Sequence, residues 1–422
     1  MALSDSKFSK LARVAFGNVL EWYDFSLYIY FSISLGHAFF PSDDPLTVKL
    51  LSFATFFIGA LVRPLGGLLL GWLGDRFGLR WSVNLCVKVM GVSTVLVAFL
   101  PTYAQVGLFA PVMLILLRIL QGLSAGGQFP NLITLSVNEH KKKSGFAVGL
   151  IFSISSLGFL LASGVGFLMT SWITDLHNTL LWRLPFAFSG VLFLFYVWLN
   201  RHEAHTQESS KTAKPPLLPF LKKHWQPLLA VVCLTTMAAS LYMLLYTYVM
   251  NYRIDHLGVS AGNAFLINAI ILLVAICSYP LFGKLSDRFG NLTVFLVSAG
   301  ILVCVIYPSM LYLNAASSVE TLAILLLITV LLAAIQGAIS PLFAQGFPAA
   351  WQATGCALAF SIGNALSGGA PMAVEYAVHV FDHGLADLFL LFTLIGLLGM
   401  MFYYRSSEDS FQFFESHYTV GR

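Results

Sequence analysis

Long apolar runs with almost no charge inside them restrict this chain to one kind of solvent. Hydrophobic residues fill 58% of its 422 positions and charged residues 10%. The 23 basic and 19 acidic side chains cannot coat a water-soluble particle of this size, so the apolar mass must meet lipid. Apolar runs fall near 12–36, 50–73, 81–100, 107–136, 144–171 and 183–199, and again near 225–250, 262–285, 292–313, 321–346, 350–371 and 386–404. Each suffices for one helical crossing, which takes about 20 residues. The fold class this implies is an all-α polytopic membrane protein with twelve transmembrane helices in two six-helix bundles.

The extended polar stretch at 200–224 divides the chain into a bundle at 1–199, a linker, a second bundle at 225–405 and a tail at 406–422. Lys141, Lys142 and Lys143, with the linker's Arg201, Lys211, Lys214, Lys222 and Lys223, mark the cytoplasmic side and put both termini there. The opposite loops, near 37–49, around Asp175, and around Glu375, Asp382 and Asp387, are poor in cations. The N-terminal run carries Glu21 and Asp24 and no small-residue cleavage pattern, so it reads as a retained first span. One loop occurs twice. GWLGDRFGLR at 71–80 and GKLSDRFGNL at 283–292 set Gly71, Asp75, Arg76 and Gly78 in register with Gly283, Asp287, Arg288 and Gly290. Each copy joins the second and third spans of its half, as a duplicated carrier unit requires.

The GxxxDRxG copies resemble the loop motif of the major facilitator superfamily. GNVLEWYDFSLY at 17–28, RPLGGLLLGWLGDRFG at 63–78, RILQGLSAGGQFP at 118–130 and TGCALAFSIGNALSGGAPM at 354–372 are similar to its metabolite:proton symporters, over nearly the whole chain. Members of that group take up proline and betaine, shikimate, alpha-ketoglutarate and citrate. The resemblance implies proton-coupled uptake, across a bacterial inner membrane, of an organic acid or a zwitterionic osmolyte or amino acid, without selecting which. Of two departures, the first keeps facilitated diffusion or export open and the second keeps the family's substrate identity from being carried over. Where the family reads GGEY, this chain has Gln128 and Phe129; where helix eleven carries a tyrosine–asparagine pair, it has Phe360 and Ser361.

Charge within hydrocarbon is costly unless it faces a cavity or a partner, which singles out Glu21, Asp24, Arg63 and Arg118. Glu21 and Asp24 lie one turn apart on helix one, with Tyr28 a further turn on. A carboxylate whose proton occupancy responds to burial and to a nearby arginine suits coupling, so Asp24 first and Glu21 second are the candidates. Arg118 on helix four can pair with either or clamp a substrate carboxylate in its planar fork. A permanent structural ion pair predicts the same sequence. Gln121 and Gln128 are candidate polar contacts on helix four, with ordinary hydrogen bonding between helices as the alternative for Gln128. Tyr246, Ser361 and Asn364, with Tyr242, Asn268 and Gln336, suit the opposite wall or simple packing between helices. Arg63, beside Pro64, ranks below Arg118 as a substrate ligand.

In the repeated loops, Asp75 and Asp287 can accept hydrogen bonds at helix ends or attract arginines across the domain joint. Gly78 allows the tight connection, while Arg76, Arg80 and Arg288 can reach nearby carbonyls or acids. Such contacts favour the outward-open state. Leu79 and Arg80 become Asn291 and Leu292 in the second copy, so the two latches are expected to differ in strength; plain loop folding is the bland alternative.

The sequence has no GxxxxGK[ST] phosphate cradle and no loop large enough for a nucleotide-binding domain, which leaves gradients as the energy source. Cys86, Cys233, Cys277, Cys304 and Cys356 are dispersed as small apolar residues, and no metal, cofactor or enzyme chemistry is indicated. His140, His202, His205 and His224 read as solvated. The tail has no heptad pattern, so no coiled-coil osmosensor is expected. The expected partners are a small metabolite, a proton and membrane lipid, with a monomer sufficient. A non-transporting receptor is the alternative from another class, and solute flux separates the two.

Overall fold

The computed structural model describes residues 7–40, 44–172, 180–201, 216–381 and 383–418. Asp175, His202, His205, Lys211, Lys214 and Asp382 lie outside the described residues. Among the described residues, ten helical segments are long and apolar enough to cross a membrane. They are spans 2 to 6 (Pro45–Phe77, Leu79–Phe99, Phe109–Glu139, Ser144–Trp172 and Arg183–Asn200), span 7, spans 8 to 10 (Ala261–Phe289, Asn291–Tyr312 and Ser318–Ile339) and span 12 (Gly384–Tyr418). Span 7 joins Trp225–Met243 to Val249–Asp255 through a π-helical turn at Leu244–Tyr248. Spans 1 and 11 are built from shorter helices: Lys7–Ala15, Gly17–Tyr30 and Ser32–Phe39 for the first, Gln352–Ser367 and Ala370–Val380 for the second. The chain is an all-helical, multi-pass membrane protein of twelve spans.

Several ends differ from the hydropathy pattern. Span 11 reaches Val380 rather than 371, the last helix continues to Tyr418, and Leu217–Lys223 in the linker is helical. Local hydrogen bonds rather than hydropathy set such ends. Span 10 starts where Ser317 Oγ accepts from the Glu320 N–H at 3.4 Å and Glu320 Oε2 accepts from the Ser317 N–H at 2.8 Å. One expectation fails. His140 is 7% exposed and stacks on Phe8 at 4.6 Å, because the N-terminal helix folds across spans 4 and 5. His224 is half-buried beside Phe220.

Large apolar side chains such as Leu65, Phe99, Leu194 and Leu281 point outward, where lipid replaces water as the solvent. Inside, the bundles meet along two seams, span 2 on span 11 and span 5 on span 8. Both seams depend on the repeated motif. A Cβ on Gly71 would lie 2.8 Å from Thr354 Cα and 2.9 Å from the Ala353 carbonyl, and one on Gly283 would enter the Gly145 backbone. The motif's last glycines, Gly78 at φ 102° and Gly290 at φ 90°, occupy backbone conformations that L side chains avoid.

A branched side chain at Gly71 should therefore wedge the seam open. Cys356 reports on it, being fully buried with its Sγ 3.7 Å from the Pro130 carbonyl of span 4. In a variant retaining Cys356 alone among the cysteines, Gly71→Val is expected to speed alkylation roughly tenfold, as overpacking of about 1.4 kcal/mol would. Gly164→Val, with open space around it, should leave the rate unchanged.

Candidate functional site

The Gly17–Tyr30 segment of span 1 turns Glu21 and Asp24 into the first bundle, each 3% exposed. Arg118 Nη1 donates to Asp24 Oδ2 at 2.9 Å, and Gln121 Nε2 donates to Asp24 Oδ1 at 2.9 Å and to Thr94 Oγ1 at 2.9 Å. The Arg118 guanidinium sits 3.8 Å from the centre of the Tyr28 ring, whose hydroxyl donates to the Ser52 carbonyl at 3.2 Å. Asp24 thus has a partner on each oxygen, whereas Nε and Nη2 of Arg118 and Oε2 of Glu21 are buried without one. Such groups are incompletely satisfied and available to a ligand, water or a rearrangement. Arg63 lines the same small pocket and lies over the Phe25 ring at 5.4 Å. Two carboxylates and two guanidiniums therefore share one enclosed space. Lys88, which the sequence reading passed over, is exposed on span 3 and does not line the pocket.

A second, larger space of about 750 Å³, its open mouth included, lies at the joint between the bundles. Trp22, Phe25, Phe129, Phe152 and Phe159 form its wall on the first bundle, with Ser155 and Ser156. The second bundle contributes Tyr242, Phe343 and Phe360 together with Thr235, Thr247, Gln336, Ser340 and Asn364. Trp22, Phe159 and Tyr242 touch one another across the joint, with ring centres 5.0 to 6.2 Å apart. Phe129 and Phe360 bridge it again at 5.4 Å. Phe25 borders both spaces.

The sequence candidates separate into groups. Asp24, Glu21, Arg118, Gln121 and Arg63 gather in the charged pocket, with Tyr28 packed against it. Asn364, Gln336 and Tyr242 line the cavity. Gln128 does not: its Nε2 donates to the Gly17 carbonyl at 3.1 Å and to Asn18 Oδ1 at 3.0 Å, tying span 4 to span 1. Ser361 Oγ donates to the Gly126 carbonyl at 2.9 Å, a strut between the bundles. Tyr246 is buried in the π-helical turn with its ring 4.5 Å from that of Tyr242. The sequence reading missed the cavity aromatics Trp22, Phe25 and Phe159, and also Thr235. Asn18 was legible in principle, since it precedes Glu21 by one turn on the same helical stripe.

At the motif end, each aspartate caps a helix of the other bundle. Asp75 Oδ1 accepts from the Ala353 N–H at 2.8 Å, and its Oδ2 accepts from the Thr354 N–H at 3.0 Å and the Thr354 hydroxyl at 2.6 Å. Asp287 Oδ1 and Oδ2 accept from the N–H groups of Gly145 and Phe146 at 2.7 and 2.9 Å. A carboxylate at a helix N-terminus meets unpaired donors and the positive end of the dipole. Arg80 grips Glu139 with Nε at 3.0 Å and Nη2 at 2.8 Å. Arg76 lies over Trp72 at 5.1 Å, and Arg288 over Phe289 at 5.3 Å.

Two six-helix bundles around a cavity at their joint, with a carboxylate–arginine pair buried beside it, have the architecture of a membrane transporter. The chain belongs to the Major Facilitator Superfamily, whose family model matches residues 14–372. It is 28% identical over 396 residues to the proline/betaine transporter of Salmonella typhimurium, covering 89% of this chain and 79% of that one. It is also 28% identical over 424 residues to the citrate-proton symporter of Klebsiella pneumoniae, covering 96% and 94%. In fold it is similar to XylE, a proton:xylose symporter, with a TM-score of 0.76, 16% identity and 96% of each chain covered.

The Arg118–Asp24 pair sets up a double-mutant test. Arg118→Met should destabilise the protein by about 3–5 kcal/mol by leaving a buried carboxylate unanswered. Asp24→Asn combined with Arg118→Met should cost less than the sum of the single changes. Thermal melting of the purified variants in detergent reads both.

Proposed function

We propose that this transporter is a proton-coupled symporter taking up a small polar metabolite, an organic acid or a zwitterion, by alternating access. In this reading it sits in a bacterial inner membrane with both termini and the motif loops in the cytoplasm. The two aspartate latches then close the cytoplasmic end, and the conformation is outward-facing. The observation that carries the proposal is the buried Arg118–Asp24 ion pair, one helical turn from a Glu21 oxygen that has no partner.

An ionised Asp24 holds span 1 to span 4 through Arg118 and Gln121. A proton on Asp24 removes the charge that Arg118 answers, freeing the guanidinium for Glu21 or for a substrate carboxylate. Its Nε and Nη2 are already unoccupied donors. Substrate and proton together thus favour a rearrangement that neither favours alone. Release of both to the cytoplasm resets the pair. A second reading, facilitated diffusion or export without coupling, draws support from Gln128, an amide fixed between spans 1 and 4 where the resembled family carries an acid.

Sealed liposomes with an imposed proton gradient separate these readings. Wild type should accumulate substrate against its gradient, with substrates found by thermal shift among organic acids, betaines and amino acids. Asp24→Asn should lose accumulation while keeping substrate-for-substrate exchange. Equilibration without accumulation by wild type would favour the uncoupled reading. Full accumulation by Asp24→Asn at normal reconstitution would remove Asp24 from the coupling role.

A further inference from the structure

We propose that the cavity is built for a compact zwitterion of zero net charge, carrying an alkylated ammonium and a carboxylate. This rests on the symporter reading and narrows its substrate. Among the described residues that line the cavity none is charged. The nearby charges lie beyond Phe25, where Glu21 and Asp24 are matched by Arg63 and Arg118. A citrate-like polyanion would bring two or three desolvated charges to a space with no cation in its lining, and Arg118, beyond Phe25, could answer one of them at most, which leaves the rest uncompensated. A zwitterion brings none in excess.

The walls fit its two ends. An alkylated ammonium needs no counter-ion if it rests on ring faces, whose electron-rich centres attract it most strongly away from water. Trp22, Phe159 and Tyr242 line the cavity as one cluster of rings. At Phe129 and Phe360 the cavity surface is plain ring without a hydroxyl. A carboxylate needs donors. Thr235 Oγ1 is a hydroxyl donor buried without a partner at a residue 1% exposed, and Trp22 Nε1 is a further buried donor without one. The Thr235 hydroxyl and the Trp22 indole N–H each supply a donor to an anion without adding charge. Overall likeness does not choose, since a betaine transporter and a citrate symporter match this chain at the same 28% identity.

The test compares N,N,N-trimethylglycine and N,N-dimethylproline with citrate and with 3,3-dimethylbutanoate. The last has the shape of trimethylglycine with carbon in place of the ammonium nitrogen, and hence a net negative charge. At least one zwitterion should raise the melting temperature and be taken up, with citrate and the carbon isostere binding about tenfold or more weakly. Trp22→Leu should weaken zwitterion binding by about tenfold, with Trp22→Phe restoring most of it. Should Trp22→Leu fail to fold, the near-isosteric Thr235→Val, which leaves the rings in place, should weaken binding of the zwitterion several-fold. Failure of both zwitterions to bind, equal binding of citrate or the isostere, or unaltered binding in the folded variants would overturn the proposal. Zwitterion uptake indifferent to the proton gradient would overturn the symport reading and leave this one standing. Gradient-driven uptake of citrate alone would do the reverse.

Discussion

A charge inside a bilayer has no water to answer it, and the first bundle is organised around that constraint. Glu21 and Asp24 on span 1 can be buried because Arg63 and Arg118 enter the same pocket from spans 2 and 4. The arginines are tolerated for the same reason. Gln121 and Tyr28 complete the first coordination of the pair without adding charge. Removing a single member would leave its opposite stranded in low dielectric, so the cluster holds three spans in one arrangement. Any change in its protonation must be answered by a change in how those spans pack.

The joint between the bundles obeys a related rule, with backbone donors in place of arginines. Asp75 and Asp287 each close on the N-terminus of a helix in the other bundle, and the pseudo-symmetry of the chain makes the two seams counterparts. The first latch is richer by the Thr354 hydroxyl. Gly71 and Gly283 permit the approach that brings these groups into range, while Gly78 and Gly290 turn the chain directly after them. One short motif therefore supplies the close contact, the cap and the turn. Breaking such a seam exposes several helix-end donors together, which favours a two-position switch over gradual loosening.

The features legible in the sequence were those that leave a mark in one dimension. Twelve apolar runs, a motif repeated in register, and four of the charges within hydrocarbon needed no coordinates to be noticed. What stayed hidden was which groups meet. The acceptors of the latches bind backbone N–H groups of Ala353, Thr354, Gly145 and Phe146, and every residue but proline has such a donor. Gln128 stands at a position suggestive of a ligand, yet its amide is turned onto Gly17 and Asn18. Aromatic residues at helical spacing look alike whether they fill a core or line a cavity, so Trp22 and Phe159 carried no signal. His140 seemed a loop residue because the folding back of Lys7–Ala15 over it is a tertiary event.

Span 1 is where the charged pocket and the cavity become one problem. Across two turns, Glu21 and Asp24 border the pocket while Trp22 borders the cavity, and Phe25 borders both. The Phe25 ring has Arg63 on it at 5.4 Å, Phe56 at 4.7 Å and Trp22 at 5.8 Å. In the proposed cycle, a ligand that settles against Trp22 therefore presses on a ring that also touches an arginine of the proton site. A proton that loosens the Arg118–Asp24 pair in turn frees the segment carrying Trp22. Linkage requires the two effects to be equal in free energy: whatever the proton adds to substrate affinity, the substrate adds to proton affinity. In the proposed cycle, with Gln128 unable to titrate and Phe129 and Phe360 lacking hydroxyls, that exchange runs through Glu21, Asp24 and the arginines they face.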